Sequence, residues 1–175
     1  MRKYFIFYVI FMALGVGNIF SQETNIDLWG STTNDFQMSI SVKNGKSDVL
    51  LGSPIILMAR LQNLSSTKTI QIHEFNQKLI DGSYSFSVIS PSGSDISPKI
   101  NVNGPLGGSG GTYAIGPGQI HEAALDLSLV CKFEAVGTYK VIVTKQVEDL
   151  SDSKPSMPPF ILISNPLYIK VVQQN

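Results

Sequence analysis

The stretch GTYKVIVTKQV, Gly137 to Val147, decides the fold. Tyr139, Val141 and Val143 alternate with Lys140, Ile142 and Thr144, a period of two that sets the first three on one face of an extended chain. A buried face of one polarity and a wet face of the other is the signature of a half-buried antiparallel strand.

The same period recurs on both sides of this run. Phe36, Met38, Ile40 and Val42 alternate with Gln37, Ser39, Ser41 and Lys43, and Asn44-Gly45 follows as a turn whose residues both accept positive φ. Gly52-Ser53-Pro54 opens a strand with Ile55, Leu57, Ala59 and Leu61 on one face, ending at Asn63. Ile70 and Ile72 mark the next strand, which closes near Phe75. Tyr84, Phe86 and Val88 form another, stopped by the β-turn Pro91-Ser92-Gly93.

Lys99 to Val102 predicts a short strand, and the five glycines between Asn103 and Gly111 predict a loop. Thr112 to Ile115 predicts a brief strand, then Gln119 to Leu127 another, with Ile120 and Ala124 on one face. The mixed pattern of Ser128 to Phe133 predicts one helical turn crossing between sheets. Phe160 to Ile163 and Leu167 to Val172 end the chain as strands around Ser164-Asn165-Pro166. No segment is amphipathic over three helical turns and no internal repeat is evident. The expected class is therefore all-β, an antiparallel sandwich of about eight or nine strands over residues 36–175.

Gly137-Thr138-Tyr139-Lys140-Val141 resembles the tyrosine corner of immunoglobulin-like sandwiches. With Gly52-Ser53-Pro54-Ile55, Leu61-Gln62-Asn63, Gly116-Pro117-Gly118, Leu125-Asp126-Leu127-Ser128 and Ser164-Asn165-Pro166, residues 36–172 resemble exported bacterial immunoglobulin-like domains. The resemblance implies that the Tyr139 hydroxyl donates to a main-chain carbonyl within Cys131 to Val136. It says little of function, because this fold hosts many roles. Antibody-type core cysteines are missing.

Residues 1–21 read as a secretory signal peptide. Arg2 and Lys3 precede an uncharged apolar run from Tyr4, and Gly15 to Ser21 supplies the small residues of a cleavage region. Cleavage after Ser21 would leave a polar lead-in, residues 22–35, with an apolar knot at Ile26, Leu28 and Trp29. No later run is long and apolar enough to span a bilayer. The expected location is the periplasm or the outside of the cell.

The full chain balances 13 basic against 13 acidic side chains, and loss of Arg2 and Lys3 would make it slightly acidic. With no basic block to neutralise phosphates, nucleic acid is not an expected partner. Cys131 is the one cysteine, so no intramolecular disulfide is possible, and its apolar neighbours Val130 and Phe133 suggest a small buried hydrophobe. A thiol nucleophile needs an adjacent base. The two histidines, His73 and His121, are distant in sequence from it and lack metal-ligand spacing. Glu148, Asp149 and Asp152 read as solvated acids rather than a Ca²⁺ loop, which also needs a turn glycine.

The glycine-rich segment is not a phosphate cradle, since no Lys-Ser or Lys-Thr follows it. It resembles the Gly-rich loop of chagasin-type cysteine-protease inhibitors, although their companion Asn-Pro-Thr-Thr-Gly and Arg-Pro-aromatic loops are missing. Gly107, Gly108, Ser109, Gly110, Gly111 and Tyr113 are the candidate binding residues. No Gly-x-Ser-x-Gly elbow supports a hydrolase, and Asn63-Leu64-Ser65 matches a glycosylation acceptor by accident. The sequence thus predicts an exported, non-enzymatic binding or assembly module without a cofactor. Its expected partner is another protein or a cell-envelope component. A protease inhibitor is the second reading and a hydrolase the third.

Overall fold

A computed structural model describes residues 28–46, 48–75, 83–98, 110–150 and 157–174. The leader, the predicted strand at Lys99 to Val102, most of the glycine-rich segment and Asp152 lie outside the described residues. Ten strands are described: β1 (Phe36–Val42), β2 (Asp48–Leu50), β3 (Ile56–Asn63), β4 (Ile70–Phe75), β5 (Tyr84–Ile89), β6 (Gly110–Ile115), β7 (Ile120–Asp126), β8 (Gly137–Val147), β9 (Phe160–Ile163) and β10 (Leu167–Val172). One sheet runs β1-β3-β7, and the other runs β2-β10-β8-β5 with β9 also on β8. A ribbon, β4-β6, continues beyond the ends of β3 and β7.

The architecture is an all-β, immunoglobulin-like sandwich, and it departs from the expected antiparallel plan in one place. β2 pairs in parallel with β10, because the chain leaves β1 through the Asn44-Gly45 turn and crosses to the opposite sheet. β2 is the strand that the sequence period did not show, since three residues are too few to establish alternation.

The core faces follow the period of two. Ile55, Leu57, Ala59 and Leu61 are buried, as are Phe86, Tyr139, Val141 and Val143. In β7 the expected face is reversed. Ala123 and Leu125 point inward and Ile120 is 49% exposed, because the ladder sets Leu125 beside Leu57 and Ala123 beside Ala59 on the core side of β3. A 3-10 turn, Leu127–Leu129, then carries the chain towards the second sheet; it begins one residue before the helical turn expected over Ser128 to Phe133 and ends four residues short of it.

Tyr139 is the hinge of this crossing. Its hydroxyl donates to the Ala135 carbonyl at 2.9 Å and accepts from the Ala135 N–H at 3.1 Å, while its ring meets Phe133 edge-on at 4.9 Å. Gly137 just ahead of it has φ +130°, and a Cβ there would lie 2.7 Å from Pro91, so only glycine fits on both counts. Further along β8, the alternation turns Lys145 inward as well. Its ammonium is met by the Ser83 hydroxyl at 2.9 Å and by the Tyr84 ring, 3.9 Å to the centroid.

Between β9 and β10 the pairing register on β8 slips by one residue. Ser164-Asn165-Pro166 faces only Ile142 and Val143, which makes it a β-bulge. The Ser164 N–H donates to the Val143 carbonyl at 2.9 Å, and its hydroxyl accepts from the Val143 N–H at 3.0 Å. The extra residue flips the parity, so Phe160 and Leu162 point inward before it and Ile169 and Val171 after it.

Candidate functional site

Gly107, Gly108 and Ser109 lie outside the described residues, whereas Gly110 and Gly111 belong to a strand rather than to the expected loop. β4 supplies a full ladder, with Phe75 opposite Gly110 and Glu74 opposite Gly111, and backbone pairing outweighs the low strand preference of glycine. A Cβ at Gly111 would stand 3.4 Å from three atoms of the Tyr113 side chain, so its absence gives that ring room to lie back along the strand. Tyr113 is 46% exposed and packs against the His121 ring, centroids 4.9 Å apart. The structure therefore sets Gly111 beside the Tyr113 ring and that ring against His121, a neighbour that sequence spacing did not suggest.

A second concave surface lies where the two sheets meet. A groove of about 830 Å³ runs between β1 and the start of β10, with Leu28, Met58, Leu167 and Tyr168 among its apolar walls and Arg60 among its polar ones. Leu28 is 64% exposed and Tyr168 56% exposed. The lead-in reaches this position because Thr33 and Phe36 pair across a tight turn in which Asn34 and Asp35 both take positive φ. Gly30 then donates to the Met38 carbonyl at 2.9 Å and lies directly on the backbone of Ile163, where a Cβ would overlap the carbonyl oxygen.

The groove floor is internally satisfied. Asn165, almost fully buried, accepts from the Ile40 N–H at 2.8 Å and donates to the Ile40 carbonyl at 3.3 Å, imitating a strand on the edge of β1. With Gly30 on Met38, this covers the outer edge of β1 and removes a template for strand addition there. Arg60 pairs with Glu122 at 2.8 Å on the exposed face.

Cys131, Asp149 and Asn63 serve the fold. Cys131 is buried, its thiol points at the Ile96 carbonyl at 3.8 Å, and burial pushes its pKa up to about 11, so the nucleophilic thiolate is suppressed. Asp149 is buried rather than solvated, and its carboxylate accepts from the Gln71 N–H at 3.3 Å. Asn63 of the glycosylation triplet is fully buried and bonded on every side, which leaves its amide no access to a glycosylating enzyme. Among the described residues no three His, Cys, Asp or Glu side chains are grouped to hold a metal ion, and no helix is long and apolar enough to cross a membrane.

No family model matches the sequence, and no curated protein matches it. Among solved structures it is similar to the CARDB domain of a Pyrococcus furiosus protein, crystallised in complex with di-metal ions. That pair shares 13% identity over 81% of this chain and 93% of the other, with a TM-score of 0.36.

Proposed function

We propose that this chain is an exported, non-catalytic binding or assembly module, and that it takes a segment of another protein into the groove between β1 and β10. The observation that carries this reading is the convergence of Leu28 and Tyr168, both more than half exposed, on one groove of about 830 Å³. Its volume lies in the range of ligand sites, and exposed aromatic and aliphatic side chains around a satisfied polar floor are what a recognition surface needs. The β1 edge that frames it is held by internal bonds, so along that edge side chains rather than backbone pairing would supply recognition. Export rests on the leader, and cleavage would leave Gln22 as the first residue, six positions before Leu28.

Affinity capture from an exported-protein fraction tests the reading. The wild-type chain should retain a partner that the Leu28→Ser, Tyr168→Ser double variant releases, with both chains unfolding at the same denaturant concentration. Equal retention by the two would remove the groove from the account. Recovery of a cysteine protease, held through Gly110 to Tyr113, would turn it towards an inhibitor. Mass spectrometry of the captured bait should show Gln22 at its N-terminus, and retention of Tyr4 would mean an anchored protein instead.

A further inference from the structure

We propose that the outer face of the β5-β8-β9 layer is a dimer interface whose occupant is a second copy of this chain. The outward row of β8 carries Lys140, Ile142, Thr144 and Gln146, and the alternation continues to Glu148, exposed between buried Val147 and Asp149. A cation therefore stands at one end of the row and an anion at the other, with only uncharged side chains between them. Among the described residues neither Lys140 nor Glu148 forms an ion pair within its own chain.

Beside the middle of this row stand Ile161 and Ile163 of β9, 58% and 48% exposed, and Ile163 lies directly opposite Thr144. On the other flank Ser85 and Ser87 sit opposite Thr144 and Ile142, small side chains that keep the face flat. Single exposed isoleucines are ordinary, but two on adjacent outward positions of one strand make a contiguous apolar patch with a polar rim.

Charge decides how two such faces meet. A two-fold axis running along β8 would set Lys140 over Lys140 and Glu148 over Glu148, which is repulsive at both ends. An axis crossing the strands at Thr144 reverses the partner strand, because Lys140 and Glu148 are equally far from Thr144 along the chain. It then sets Lys140 over the partner's Glu148 twice, once in each direction, as an isologous interface requires. The same axis brings Ile163 against its own equivalent, so the apolar patch falls at the centre of the contact and the charges at its rim. Lys140, Glu148 and Ile163 do not line the groove, and of the three only Lys140 stands opposite a groove residue, Tyr168, so Glu148→Lys and Ile163→Lys test this interface apart from the groove.

Sedimentation equilibrium of the exported chain at micromolar concentrations tests the proposal. The wild type should associate to a dimer, more weakly as salt is raised. Lys140→Glu and Glu148→Lys, each placing like charges together twice, should weaken association about tenfold. The combined exchange, Lys140→Glu with Glu148→Lys, should restore it. Ile163→Lys should leave a monomer whose unfolding midpoint matches that of the wild type diluted until it is monomeric, because the side chain is half in water and dimerisation adds stability only to the associated form. A monomeric wild type overturns the proposal. So does a dimer indifferent to both single charge reversals, or an exchange variant no better than either single one.

Discussion

Two buried asparagines hold the places where this sandwich breaks its own regularity, and they do so over very different spans. Asn63 closes the corner where β3 gives way to the β4-β6 ribbon. Its carboxamide donates to the Lys68 carbonyl at 2.7 Å and the Ile115 carbonyl at 3.0 Å and accepts from the Ser65 N–H at 2.9 Å. Its main chain meets Gln119 and Gly118. Asn165 works between sheets, tying the bulge after β9 to Ile40, 125 residues away in sequence. Both donor bonds of Asn165 are long, 3.3 Å to Ile40 and 3.4 Å to Pro166, and its residue keeps 8% exposure where Asn63 keeps none. A carboxamide imitates a peptide group, so each can take the place of a missing strand residue. The corner is built tight and dry, and the seam is looser and open on the groove side.

That contrast sets the order of effects. Asn63→Ala would strand two carbonyls and one N–H where water has little access, so a loss of about 3 kcal/mol is expected by chemical denaturation. The β4-β6 ribbon should lose hydrogen-exchange protection first, since Asn63 is its junction with β3. Asn165→Ala removes one good bond and two weak ones at a site that solvent can reach, so about 2 kcal/mol is expected. Its larger effect should fall on partner capture, because the groove wall is what it fixes. If Asn165→Ala proved the more destabilising of the two, bond length and burial would not be what ranks these anchors.

How far these anchors could be read from the sequence follows from where their partners are. Tyr139 was legible because its partner lies four residues upstream, inside a motif whose spacing carries the geometry. The carboxamides of Asn63 and Asn165 were not, since Asn63 reads as a strand end and Asn165 as part of a break before proline, and nothing local points to Ile115 or Ile40. The core face of β3 could be read from alternation alone. That of β7 could not, because Ile120, Ala123, Ala124 and Leu125 offer no clean period and the register with β3 decides the matter. Gly110 and Gly111 failed for the same reason, as composition says loop and only the partner strand says otherwise. Of the candidate sites, the glycine segment was visible as a run of letters. The groove was not, being assembled from Leu28, Met58 and Leu167 to Tyr168.

Tyr139→Phe is the smallest of the three changes, and it sharpens the comparison by using the same kind of stitch under easier conditions. The hydroxyl both donates to and accepts from the backbone of Ala135, so its removal costs two hydrogen bonds. Ala135 is exposed, however, and water can replace the lost partner on that side, unlike at Asn63. The phenyl ring would keep its place, since Tyr139 is 2% exposed and its contact with Phe133 does not involve the hydroxyl. The expected loss is therefore about 1 kcal/mol, at the low end for a hydrogen-bonded buried phenol. Denaturant titration should show a lower midpoint with an unchanged slope, because the packed state is the same. Partner capture and dimerisation should both be untouched. A loss equal to that of Asn63→Ala would mean that water does not reach Ala135 and that the corner is as dry as the asparagine junction. No loss at all would mean that the segment from Cys131 to Val136 is held by Leu127 and the Phe133–Tyr139 ring contact, with the hydroxyl contributing nothing.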